Sequence, residues 1–239
     1  MRRQLAAAER VIVALDVPTG SQALKLARRL TGIVRTLKVG SALFTACGPS
    51  VVQRLRALRF HVMLDLKFFD IPNTVEQSCR AAVRHRVAML TVHASGSGAM
   101  LRAAVLGART EARRLGVPRP LVLGVTVLTS TADGGPSRVT AEVVRLARVA
   151  QQAGCDGVVA SAHEVRALRR RFGGRLWIAC PGIRPRSTSR DDQRRVATPA
   201  AAVKEGADFL VIGRPITASR NPRKAAQDIL EEMEAVDAC

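Results

Sequence analysis

The sequence predicts a single-domain (β/α)8 barrel of class α/β, spanning residues 1–239. Three observations predict it. Eight short runs rich in β-branched residues recur along the 239-residue chain. Stretches with a helical spacing of Ala, Leu and Arg separate them. Polar and charged residues gather at the C-terminal ends of the runs, where a TIM barrel keeps its chemistry. An open doubly wound sheet is the alternative, and it is weaker because no GxGxxG or P-loop pattern follows a strand.

The elements follow in order. "MRRQLAAAER" (1–10) reads as a short helical lead-in; Glu9, Arg10 and Asp16 make it a poor signal peptide. The expected strands are "VIVALDV" (11–17), "TLKVG" (36–40), "HVMLDLKF" (61–68), "MLTVHA" (89–94), "LVLGVTVL" (121–128), "GVVASA" (157–162), "LWIACPGI" (176–183) and "DFLVIGRP" (208–215). Between them lie helical stretches such as "SQALKLARRL" and "AEVVRLARVAQQAG". Ser21 is the expected N-cap of the first of these. Gly154 and Gly206 stand where helix C-caps are expected. The polar stretch "RPRSTSRDDQRR" (184–195) follows the seventh run and reads as an active-site loop or a plain surface loop.

Composition narrows the function classes. Hydrophobic residues make up 47% of the chain, enough for a sizeable core. No apolar run reaches the roughly 18 residues of a membrane span. Five cysteines without a CxxC pair argue against a disulfide framework or a zinc site and fit a reducing cytoplasm. The net charge of +19 points to an anionic partner or a basic solvated surface. Aromatics are 3% with no tyrosine, so platforms for stacking nucleic-acid bases are scarce. Only five of the 38 basic residues are lysines. Lysine can be tuned to release a proton near neutral pH and arginine cannot, so lysines in strands hint at proton chemistry.

The candidate site follows from the run ends. Asp16 ends the first run and Lys38 lies near the end of the second. Asp65 and Lys67 end the third, with Asp70 just beyond. Strand side chains alternate faces, so Asp65 and Lys67, two apart, point the same way. A structural ion-pair cluster is the bland reading, but buried ion pairs are weak stabilisers and perturbed charges more often mark function. Thr129 and Ser130 follow the fifth run, and Arg184 the seventh. Gly213 and Arg214 close the eighth, where bare backbone and a guanidinium fork suit a phosphate. His93 and Cys180 read as structural rather than as base or nucleophile.

The segments "ALDVP" (14–18), "LKVG" (37–40), "DLKFFDIPNTV" (65–75), "VHASG" (92–96), "VTVLTS" (125–130), "PGIRP" (181–185), "DQRRVATP" (192–199) and "GADFLVIGRPIT" (206–217) carry a family resemblance. The chain resembles the orotidine 5′-phosphate decarboxylases of the bacterial type over nearly its whole length. The resemblance implies conversion of orotidine 5′-monophosphate to uridine 5′-monophosphate and CO2, without metal or organic cofactor, in the cytoplasm. Lys38, Asp65, Lys67 and Asp70 match the family's catalytic tetrad. The last aspartate comes from a partner subunit in the family, which implies a homodimer with shared sites. Asp70 and Thr74 then reach the other chain's ribose, with Ile71 also at the substrate. Asp16 and Lys38 match ribose contacts, and Thr129 a pyrimidine contact with Ser130 as its rival. Arg184, Gln193, Gly213 and Arg214 match phosphate binders. One departure is Phe69, where the family commonly has histidine.

Two other functions compete. Sister phosphosugar enzymes, keto-gulonate phosphate decarboxylases and hexulose phosphate synthases, share D-x-K-x-x-D but hold Mg2+ through an acidic residue where this chain has Lys38. A non-enzymatic nucleic-acid-binding barrel would draw on the +19 charge and predicts steeply salt-dependent binding of polyanions.

Overall fold

The computed structural model describes residues 5–128, 135–185 and 197–237. Helix α1 (Ala7–Arg10) leads into β1 (Val11–Ala14), as the sequence predicts. Then come α2 (Gly20–Leu30), β2 (Thr36–Gly40), α3 (Ser41–Cys47), α4 (Ser50–Ala57) and β3 (His61–Phe68). The middle of the chain forms α5 (Pro72–Arg84), β4 (Met89–His93), α6 (Gly98–Leu115), β5 (Leu121–Val125) and α7 (Pro136–Gln152). β6 (Gly157–Val159), α8 (Val165–Phe172), β7 (Trp177–Cys180) and α9 (Pro199–Lys204) follow. β8 (Phe209–Ile212), α10 (Arg214–Thr217) and α11 (Pro222–Asp237) complete the order. The strands pair in parallel and in sequence order, and β8 returns to β1 to close a barrel.

Alternation along the strands sorts the core into two parts. Val11 and Val13 face the helices, together with Leu37, Val39, Val62 and Leu64. Ile12, Ala14, Met63, Met89, Leu123, Ala179, Phe209 and Val211 form a separate cluster that fills the barrel. Above this apolar plug the inward residues become Asp16, Lys38 and Asp65. Six of the eight predicted strands overshoot at their C-terminal ends, the exceptions being 36–40 and 61–68. The apolar run continues past the last ladder bond because Val127, Leu128, Ala160 and Ile183 line the mouth of the barrel rather than the sheet.

Local chemistry sets the helix ends. Thr19, not Ser21, caps α2 by accepting a hydrogen bond from the Gln22 N–H at 3.3 Å. The helix starts earlier than the sequence predicts, so Ser21 falls in its first turn. Gly154 and Gly206 do follow helix ends, at φ 88° and 100°. Arginines occupy the last turns of α2, α4, α6 and α8, where positive charge complements the helix dipole. That placement accounts for part of the arginine excess. Among the described residues, no helix is long and apolar enough to cross a membrane.

Helices α5 and α6 make the most extensive helix–helix contact among the described residues. A side chain at Gly107 would meet the Glu76 carbonyl oxygen at 2.5 Å, so glycine is required there. Glu111, 1% exposed, sits in this contact. It accepts from Arg84 Nε and Arg114 Nη2, both at 2.7 Å, with Arg80 Nη1 at 3.6 Å. Hydrogen bonds from Arg114 and Arg84 hold its carboxyl down at about 2, against an ordinary 4.5. A lowered carboxyl stabilises the fold above its ordinary value, and that contribution is lost as pH falls through the folded value. Glu111→Gln should therefore lower Tm by several degrees at pH 7. It should also flatten the acid loss of stability between pH 4.5 and about 2, read by thermal melts across that range.

Candidate active site

Three neighbouring strands bring the charged residues together. β2 pairs with β3 so that Lys38 lies beside Met63 and Gly40 beside Asp65. Lys38 Nζ donates to Asp16 Oδ1 at 3.1 Å and lies 3.4 Å from Asp65 Oδ2. Lys67 Nζ donates to the same Asp65 oxygen at 2.9 Å. The result is an alternating row: Asp16, Lys38, Asp65, Lys67. Lys38 and Asp65 are each 8% exposed, whereas the Lys67 side chain is 34% exposed and reaches toward open space. Gly40 makes room for the row, since a side chain there would stand 3.2 Å from Lys38 Nζ and 3.5 Å from Asp16 Oδ1.

Burial of Asp65 pushes its pKa up, but Lys38, Lys67 and hydrogen bonds from Lys67 and Thr91 outweigh it. The carboxyl ends below the ordinary range and stays ionised. His93, on β4, moves the other way, lowered by burial and by Lys67. Its ring meets Phe69 edge-on at 5.7 Å, a structural contact. Burial pushes the Cys180 thiol far up, which suits a core residue and not a nucleophile.

A cavity of about 480 Å³ opens over this row at the C-terminal end of the barrel. Asp16, Lys38, Asp65 and Lys67 form one wall, and Val125, Val127 and Val159 an apolar one. Arg184, Gly213 and Arg214 also line it, following β7 and β8, and Gly213 lies beside the Asp16 end of the row, where a side chain would stand 3.8 Å from Asp16 Oδ2. Arg184 donates its backbone N–H to the Ala197 carbonyl at 2.9 Å, beside the bridge between Ile183 and Ala197. The arrangement can hold an anion at the rim and a fixed ammonium over the cavity floor. Among the described residues, no three His, Cys, Asp or Glu side chains are grouped to hold a metal ion.

Asp70, Ile71 and Thr74 lie apart from this cavity. They are exposed, and Asp70 and Thr74 border a second depression of about 490 Å³ that also touches Lys67. Within the chain, Asp70 Oδ1 accepts from the Ile71 N–H at 2.6 Å, and no ion pair joins it to Lys67 among the described residues. Thr129, its rival Ser130, and Gln193 lie outside the described residues.

A family model described as "Orotidine 5'-phosphate decarboxylase / HUMPS family" matches residues 9–229. The chain belongs to this family. The family's reach is nearly the whole barrel. A relative named orotidine 5'-phosphate decarboxylase, from Moorella thermoacetica, is 48% identical over 237 residues, covering 96% of this chain and 94% of that one. One of the same name from Syntrophotalea carbinolica is 48% identical over 236 residues, covering 96% of each. The crystal structure of orotidine 5'-phosphate decarboxylase from Lactobacillus acidophilus superposes with a TM-score of 0.81 at 34% identity. It covers 94% of this chain and 99% of that one.

Sequence reasoning missed two residues of the site. Gly40 was legible only as part of a motif, and Thr91 looked like any β-branched strand residue. The expected alternation of Asp65 and Lys67 also takes another form. The two do meet, but β3 is irregular between Leu64 and Phe68, and Lys67 has φ 51°. The Asp65 carboxyl provides a check. Held below 3.8, it stabilises the fold above that pH, and the contribution fades as pH drops through its lower folded value. A carboxyl-carbon NMR titration should place its midpoint below 3.8; a midpoint above would contradict the double-lysine grip.

Proposed function

We propose that this chain decarboxylates orotidine 5′-monophosphate to uridine 5′-monophosphate and CO2, the last step of pyrimidine nucleotide synthesis. The single observation that carries the chemistry is the Lys67 ammonium, held at 2.9 Å by an ionised, buried Asp65 and facing open space. Breaking the bond between C6 and the carboxylate leaves an electron pair in the ring plane, where the ring cannot delocalise it. A fixed positive charge at C6 stabilises that pair. Lys67 then gives a proton to C6, and the neutral amine regains one from solvent. An arginine would supply the charge but donate its proton poorly. Asp65 holds the Lys67 ammonium in place.

The rest of the cavity supports the same reading. Asp16 and Lys38 can hydrogen-bond ribose hydroxyls, while Arg184 and Arg214, with the bare backbone of Gly213, can hold the 5′-phosphate. Thr129 and Gln193 are assigned to the pyrimidine and the phosphate by family resemblance. Binding energy from the phosphate, remote from the reacting carbon, helps to orient the ring. The mechanism draws its charge from side chains and calls for neither metal nor organic cofactor. The sister Mg-dependent enzymes would need an acid where Lys38 stands, and an ammonium repels a cation.

A second copy of the chain completes the site in this proposal. Phe69 and Ile71 are 62% and 66% exposed, unusual for large apolar side chains. They flank Asp70 in the chain, and Phe69, Asp70 and Thr74 line the depression that also touches Lys67. Covering this patch in a homodimer would bring Asp70 of each chain to the partner's lysine, with Ile71 and Thr74 at its ribose. The proposal places the dimer in the cytoplasm and assigns it no specific nucleic acid and no membrane.

Protein dialysed against a chelator and given orotidine 5′-monophosphate should consume the orotate absorbance at its full rate. Lys67→Ala should fold and bind uridine 5′-monophosphate, yet lose turnover by about 1,000-fold or more. Near-normal rates from Lys67→Ala would remove the lysine from its role, and chelator sensitivity would favour the metal-dependent sisters.

A further inference from the structure

The register between β3 and β4 breaks beside the charged row. Leu64 pairs with Leu90 and Phe68 with Val92. Asp65, Leu66 and Lys67 therefore span the place of one β4 residue, Thr91. Lys67 takes a left-handed backbone, φ 51°, within a strand. An L-residue keeps that conformation only where its surroundings hold it. The holding group is identifiable. Thr91 is fully buried, and its Oγ1 accepts from the Lys67 backbone N–H at 2.9 Å. The same oxygen donates to Asp65 Oδ1 at 2.9 Å, while Asp65 Oδ2 takes the Lys67 ammonium at 2.9 Å. One hydroxyl thus closes a ring running from the lysine backbone through the carboxylate to the lysine's own charge.

We infer that Thr91 is a positioning residue for the decarboxylation, its hydroxyl locking the Lys67 backbone and the Asp65 carboxylate in a single arrangement that fixes where the ammonium stands. The inference rests on the reading of Lys67 as the charge and proton donor at C6. A hydroxyl both donates and accepts at one atom, and both capacities are used here. Valine has the same outline with neither. It would leave the Lys67 N–H and an Asp65 oxygen short of a partner in a buried place. The irregular turn of β3 would then relax and carry the ammonium with it. A displacement of this kind costs turnover more than binding, because Asp16, Arg184 and Arg214, which line other points of the cavity, are assigned the grip on the nucleotide.

Acid sensitivity supplies a second readout. Asp65 is faced by Lys38 from β2, Lys67 from its own strand and His93 from β4, with Asp16 beyond Lys38. The Thr91 hydrogen bond is one of the interactions that hold the Asp65 carboxyl low. Without it that carboxyl protonates at higher pH, and the acid limb of kcat moves upward.

The test compares Thr91→Val, Thr91→Ala and Thr91→Ser in steady-state turnover of orotidine 5′-monophosphate, with uridine 5′-monophosphate binding measured on each. Thr91→Val should lower kcat about 10- to 100-fold, with the Kd for uridine 5′-monophosphate within about twofold and the acid limb shifted up. Thr91→Ala, too small to clash, carries the same expectation if the valine protein fails to fold. Thr91→Ser, which keeps the hydroxyl, should stay within about threefold of the unaltered enzyme. A kcat unchanged in Thr91→Val or Thr91→Ala would overturn the role. So would a serine variant as slow as the valine one, which would assign the effect to the lost methyl. Lys67→Ala separates the two levels. If it is inactive while Thr91→Val is fully active, only the role of Thr91 fails; if Lys67→Ala is active, the reading of the site fails first.

Discussion

Asp65 carries two ammonium groups on one carboxylate, Lys67 at 2.9 Å and Lys38 at 3.4 Å, at a position 8% exposed to solvent. Removing an unpaired carboxylate from water costs several kcal/mol, so the acid can sit there only in the company of cations. The converse is the functional point. A lysine held against an ionised acid loses its freedom to move. Lys67 satisfies the acid with one side of its ammonium and leaves the other turned to the cavity. The remaining features of the site follow from keeping that arrangement intact.

The barrel provides the means. Its interior is plugged by Ile12, Met63, Met89, Leu123 and Phe209, which gives the charged row an apolar floor. Charges in such surroundings act at longer effective range than in water. Gly40 leaves the space that Lys38 and Asp16 fill, and Thr91 ties the irregular stretch of β3 to β4. The cavity is built differently past β7 and β8, where Arg184 and Arg214 line it on the Asp16 side of the row, and an anion can be held there away from Lys67 on β3. Separation of gripping and reacting ends lets binding energy at one serve orientation at the other.

Much of this was legible in the sequence. Strands 36–40 and 61–68 begin and end where the runs do, because glycine or charge bounds them. The charged row was legible because polar residues at strand ends stand out from an apolar background. The helix cap at Thr19 was not, since Thr19 and Ser21 are both good caps and only backbone geometry chooses between them. Thr91 was hidden because threonine is an ordinary strand residue, and its use depends on a register shift that no spacing reveals. The spacing of Asp65 and Lys67 suggested regular alternation, yet their meeting relies on a left-handed lysine. In the dimer proposed above, the exposed Asp70, Ile71 and Thr74 meet another chain, which periodicity within one chain cannot encode.

The central claim concerns the position of one nitrogen, and a crystal structure of the protein with uridine 5′-monophosphate bound measures it directly. The account predicts Lys67 Nζ within about 3.5 Å of C6, still hydrogen-bonded to Asp65. A nitrogen turned away from the ring and out of contact with C6, in a cavity otherwise filled by the nucleotide, would contradict it.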